Sequence, residues 1–135
     1  MKQDLSSKKT QIVFGDDSVV IQKYISGIKG GRTLDVTGYA PSVIKAGHVI
    51  ITDGNGLYKP MPVTGSEGAY TYASLPGGYK YAGILYRSIA TNKPAASIMT
   101  MGEVNAVALP VNMDAIMADF KAACPHIDFI KDEEA

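Results

Sequence analysis

The apolar positions of this chain come in short runs bounded by Gly, Asn, Asp or Pro, a pattern that predicts many short strands. Gln11-Ile12-Val13-Phe14 and Ser18-Val19-Val20-Ile21 flank the polar turn Gly15-Asp16-Asp17 and read as a first hairpin. The following Ser26-Gly27-Ile28-Lys29-Gly30-Gly31-Arg32 lacks periodicity and is rich in glycine, which marks a flexible connection. It divides an extended N-terminal arm, residues 1–31, from a compact body, residues 32–135. In the body, Leu34 and Val36 share one face of an extended segment. Ile44 to Ile51 and Leu57 to Val63 are joined by Asp53-Gly54-Asn55-Gly56, whose two Asx-Gly pairs supply the positive φ a tight hairpin needs. Pro60 and Pro62 cannot donate to a central ladder, so the outgoing strand is expected at an edge.

Residues 64–78 are small, polar and glycine-rich apart from Tyr70 and Tyr72, and read as a long loop. Tyr79 to Tyr86 and Ala95 to Met101 then read as paired strands, and Val104 to Leu109 is a further short apolar run. Between 112 and 122 the period changes. Met113, Ile116, Met117 and Phe120 fall at helical spacing, Asn112 suits an N-cap, and Pro125 forbids continuation past Cys124. This is the single helix expected, followed by a last strand over 126–130.

Composition agrees with a turn-rich β class: 135 residues include 14 Gly, 7 Pro, 8 Tyr and no Trp. The length suits one domain with a real core. With 13 basic and 13 acidic side chains the net charge is zero, which argues against a general nucleic-acid binder. No stretch approaches the apolar length of a membrane span, and no signal-peptide pattern is visible at the start. Charge is nevertheless uneven: residues 1–32 hold six Lys/Arg against three Asp, and residues 111–135 hold two Lys against six Asp/Glu. Copies of the chain, or surfaces of either sign, can be attracted by such ends, although two solvated termini explain it equally.

Reaction chemistry finds little support. His48 adjoins an apolar run and reads as a satisfied or surface histidine. Cys124, His126 and Asp128 alternate, but a zinc site needs three or four ligands, normally in two pairs, and no second pair exists. Cys124 reads as a small hydrophobe at a helix end. The glycines around Lys29 lack phosphate-loop spacing and no helix follows them. Asp16, Asp17, Asp53, Glu67 and Glu103 lie scattered in turns and loops. The residues therefore predict no enzyme, no metal site and no cofactor. The tyrosines carry more information: Tyr58, Tyr70, Tyr72, Tyr79, Tyr81 and Tyr86 cluster among Gly, Ser and Thr, a composition that makes low-entropy contact surfaces. Cross-strand stacking inside a sheet explains them as well.

Several segments, taken in order, resemble the capsid decoration or head-fibre proteins of tailed bacteriophages. They are Ala46-Gly47 with Val49; Asp53-Gly54 with Tyr58 and Pro60; Ala82-Gly83-Ile84-Leu85; Lys93-Pro94-Ala95-Ala96; and Gly102-Glu103-Val104-Asn105 leading to Ala108-Leu109-Pro110. The likeness spans roughly residues 44–130. It implies a small β-barrel or tulip-like body with a short C-terminal helix, bound to the outer surface of an assembled head. The partner implied is the major capsid protein, with self-association as a trimer, neither nucleic acid nor membrane, and host cytoplasm before assembly. Such a protein bridges neighbouring capsomers and stabilises the expanded shell by mass action. Ile12, Val13, Phe14, Val19, Val20 and Ile21 then suit a clamp that adds a strand to the shell, with Lys8, Lys9, Lys23 and Lys29 aiding on an acidic surface. Deleting residues 1–24 is expected to leave a folded body that no longer binds heads. The competing reading is a β-barrel module for a peptide or carbohydrate, its groove lined by the same tyrosines.

Overall fold

Apolar runs that do not alternate, such as Val49-Ile50-Ile51, belong to strands covered on both faces. The computed structural model of the protein, which describes residues 17–28, 31–66 and 69–130, is built around such strands. One helical turn, α1 (Asp17–Val20), leads into β1 (Ile21–Gly27). Short ribbons follow as β2 (Arg32–Thr33) and β3 (Val43–Ile44), then the hairpin β4 (Val49–Thr52) and β5 (Tyr58–Pro60). A second hairpin, β6 (Val63–Thr64) and β7 (Thr71–Tyr72), precedes β8 (Lys80–Leu85), β9 (Ile89–Ala90) and β10 (Ala95–Ala96). The chain ends its described course with β11 (Ile98–Asn105), a 3-10 turn (Ala106–Ala108), α2 (Met117–Ala123) and β12 (Ile127–Ile130). The protein is mainly β with a short C-terminal helix.

The principal sheet runs β1-β11-β8-β4-β5, and β12 lies parallel to β11. A parallel neighbour needs a long crossover, which the 3-10 turn and α2 provide. Successive residues of the central strands point to opposite faces, so the sheet makes two cores. Val49, Ile51, Ile84 and Met99 pack on one face with Phe120, Ile116, Tyr72 and Val20. Ile50, Leu85 and Ile98 pack on the other with Leu34, Ile44 and Ala96 from the short ribbons. Burying each such aliphatic side chain stabilises the fold by about 1.5–3 kcal/mol. The middle of the sheet is drawn tight where Gly83 meets the Met99 carbonyl and Gly102 meets that of Lys23; any Cβ there would collide with backbone.

The sheet is open, ending at β1 and β5, so the expected barrel does not close. The 53–57 hairpin forms as the Asx-Gly pairs require: Asp53 Oδ1 accepts from Asn55 N at 2.7 Å and from Leu57 N at 3.2 Å. Its outgoing strand, carrying Pro60, is an edge. The boundary expected at 31/32 does not divide the described residues, because β1 is hydrogen-bonded along β11 and both Val20 and Ile21 are core side chains. Nor do Ser18-Val19-Val20 form a strand. Asp17 is tied to the far side of the chain by Ser88 N at 3.0 Å and Ser88 Oγ at 2.7 Å, and the backbone coils into α1 to reach that tether. The helix predicted over 112–122 starts later, at Met117. Asn112 instead closes a turn, its Oδ1 accepting from Asp114 N at 2.7 Å. The loop expected over 64–78 contains the β6–β7 hairpin.

Candidate contact surfaces

Among the described residues, those the sequence nominates for chemistry are occupied by the fold or stand alone. His48 is buried between the rings of Tyr39 and Tyr72, both edge-on. Its Nε2 lies 2.9 Å from the Met61 carbonyl and its Nδ1 lies 3.5 Å from the Tyr39 hydroxyl. A carbonyl only accepts, so Nε2 carries the proton and Nδ1 accepts from Tyr39. Burial pushes the imidazole pKa down to about 4, against a smaller upward effect of the Met61 bond, and the ring is neutral near pH 7. Burial likewise raises the Tyr72 phenol, whose oxygen accepts from Val49 N at 2.9 Å.

Cys124 is buried at the end of α2, and desolvation pushes its thiol up to about 11, away from nucleophilic use. His126 and Asp128 are exposed, while Cys124 faces the core, so the alternating trio does not converge. Among the described residues no three His, Cys, Asp or Glu side chains are grouped to hold a metal ion, and no helix is long and apolar enough to cross a membrane. Asp17 is held by Ser88 and Asp53 by its own turn. Glu103 lies on β11, while Asp16, Glu67 and Lys29 fall outside the described residues.

The tyrosines do not form one surface. Tyr72 is a core residue; Tyr70, Tyr79, Tyr81 and Tyr86 are half-buried against the first core, and Tyr58 against the second. Tyr81 and Phe129 both meet Phe120 edge-on. Lys59 Nζ sits 4.7 Å from the Tyr79 ring centre, and the Arg32 guanidinium carbon 5.5 Å from that of Tyr58. Most of their ring area is thus already engaged within the chain. Tyr70 does line a cleft of about 180 Å³ together with Tyr39, Pro41, Pro60 and Pro62.

Of the arm residues, Ile12, Val13, Phe14, Lys8 and Lys9 lie outside the described residues. Val19 is half-buried in α1, Val20 and Ile21 are buried, and Lys23 is exposed on β1. The larger open surface is one the sequence reading passed over. β1 pairs with β11 alone among the described residues, and Lys23, Tyr24, Ile25 and Ser26 are all exposed. Tyr24 is 43% and Ile25 51% accessible, adjacent on a strand with an unpaired edge. The Tyr24 ring packs at a tilt against Tyr86, with centroids 4.6 Å apart, and the Arg87 guanidinium carbon lies 5.2 Å from the Tyr86 ring centre. The available signal was Tyr24-Ile25, two large apolar residues between Lys23 and the glycines that begin at Gly27. No protein-family model matches the chain, and neither a curated protein nor a solved structure is significantly similar to it.

Proposed function

We propose that the protein is a structural auxiliary component of a tailed-phage head: it binds the outer surface of the assembled shell, bridges neighbouring capsomers and performs no reaction. The observation that carries this reading is the β1 edge, which has no pairing strand on its outer side among the described residues and carries two large exposed side chains, Tyr24 and Ile25, at consecutive positions. An edge of this kind pairs readily with a strand of another chain. The partner proposed is the major capsid protein, with copies of this chain associating as trimers on the virion surface. The residues that carry the resemblance also fit a frame. Gly47 packs on Val20 and Pro110, and Gly83 and Gly102 lie where strands crowd.

The test is co-sedimentation of the purified protein with expanded and unexpanded heads. Saturable pelleting with expanded heads, lost or much weaker with unexpanded ones, is the expected result; absence of pelleting with either contradicts the proposal. A second reading, a module for a peptide or carbohydrate, is favoured by the cleft lined by Tyr39 and Tyr70. It requires saturable ligand binding by the isolated protein, reduced in Tyr70→Ala.

A further inference from the structure

The tip of the β4–β5 hairpin has chemistry of its own. Asn55 precedes Gly56 in an exposed bend, and Gly56 has φ +98° with nothing near the position of a missing Cβ. Among the described residues, neither the Asn55 carboxamide nor the Gly56 N–H finds a hydrogen-bond partner. The neighbours of the pair do: Asn55 N and Leu57 N are both held by Asp53 Oδ1, and Gly54 N by Thr52 Oγ1 at 3.1 Å. The turn is therefore fixed on both sides of one free nucleophile and one free electrophile. The Lys80 ammonium lies 3.8 Å from the site a Gly54 Cβ would occupy, a cation beside the bend.

We infer that Asn55-Gly56 is a site of spontaneous deamidation through a cyclic imide. Hydroxide removes the Gly56 amide proton, and the nitrogen attacks Asn55 Cγ. The new N–C bond closes a five-membered succinimide as the bond from Cγ to the side-chain nitrogen breaks, and ammonia leaves with a proton from water. Water then adds to one of the two imide carbonyls and the bond from that carbon to the Gly56 nitrogen breaks, the nitrogen taking a proton from water; opening at Cγ gives aspartate and opening at the backbone carbonyl gives isoaspartate. Either product places a second carboxylate beside Asp53 on a chain whose formal charge is otherwise balanced. Isoaspartate also inserts a methylene into the backbone between the two amides that Asp53 holds, which undoes that clasp.

The other asparagines are restrained where Asn55 is free. The attacking nitrogen after Asn92 is the Lys93 amide, which is bonded to the Ala90 carbonyl at 3.1 Å. Asn105 is buried with Oδ1 accepting from Val107 N at 3.1 Å, and Asn112 Oδ1 accepts from Asp114 N. The experiment incubates the full-length protein at mildly alkaline pH and follows each asparagine by peptide mass spectrometry, with hydroxylamine cleavage to locate the imide. Asn55 is expected to convert several-fold faster than Asn92, Asn105 or Asn112, with hydroxylamine cutting between residues 55 and 56. Gly56→Ala is expected to slow conversion several-fold. Asn55→Gln, which leaves Gly56 and the turn intact but needs a six-membered ring, is expected to abolish both conversion and cleavage. Persistence of Asn55 while another asparagine converts, or hydroxylamine cleavage undiminished in Asn55→Gln, overturns the assignment.

Discussion

β4 and β1 belong to one sheet, yet they have opposite relations to solvent. All four residues of β4 are buried, with β5 and β8 on its two edges and a core against each face. β1 buries only its first residue, has β11 on one edge, and leaves four successive residues exposed. Their sequences differ, Val49-Ile50-Ile51 being apolar throughout while Gln22 and Lys23 follow Ile21, but that difference alone does not say which edges are paired. Position in the ladder does: a strand paired on both edges and covered on both faces has no surface left for recognition, whereas an edge strand keeps both backbone groups and side chains available. On the proposed function, β4 acts as frame and β1 as contact.

The largest expected effect lies in the frame. Phe120→Ala removes a fully buried ring that meets Tyr81 and Phe129 edge-on beneath the sheet, and should cost about 3–5 kcal/mol in chemical denaturation. Deletion sharpens the comparison from the other side. Removing residues 1–24 takes away Val20 and Ile21, so the shortened chain should lose at least about 3 kcal/mol of stability, counting about 1.5–3 kcal/mol for each. The expectation of an intact body after that deletion therefore gives way, and removal of residues 1–16 is the cut that leaves the described sheet whole. A shell-binding assay on that shorter deletion separates the arm from the β1 edge.

Acidification acts on the frame as well. His48 has a folded pKa of about 4 and an ordinary unfolded value near 6.5, so between these pH values the unfolded chain binds more protons and stability falls as pH drops. The contribution lost between pH 7 and pH 4 is about 3 kcal/mol. Denaturation of His48→Gln across the same range should show a shallower pH slope than the parent; equal slopes place the acid sensitivity in other groups. Asp17→Ala comes next, at about 1–3 kcal/mol, because Ser88 N–H and Oγ lose their acceptor in a buried position. Smallest is the pair Tyr24→Ser with Ile25→Ser, whose effect on stability should be about 0.5–1.5 kcal/mol for Tyr24, which loses its contact with Tyr86, and within about 0.5 kcal/mol for Ile25. Its effect on shell binding should be the greatest of all the substitutions that leave the protein folded.

What could be read from the residues was local. The Asp53-Gly54-Asn55-Gly56 turn, the edge position of the Pro60 strand and the pairing of β8 with β11 all follow from neighbours in sequence. The helical period at Met113, Ile116 and Phe120 identified side chains that are indeed buried, although a turn occupies the first half of that stretch. Contacts between distant residues were not legible. Asp17 and Ser88 are 71 positions apart, and the Tyr72 hydroxyl reaches Val49 across 23. Without those tethers α1 resembles a strand and Tyr72 resembles surface. The β1 edge escaped for the same reason: glycines at 27, 30 and 31 suggest a linker, while the pairing partner of the strand before them is more than 70 residues away.

The division between frame and contact is tested most directly by hydrogen exchange of backbone amides in the free protein and in the protein bound to expanded heads. Amides of Val49–Thr52 should be protected in both states, and those of Lys23–Ser26 that point away from β11 should gain protection only on binding. Binding that leaves exchange along Lys23–Ser26 unchanged would contradict the assignment of β1 as the contact strand.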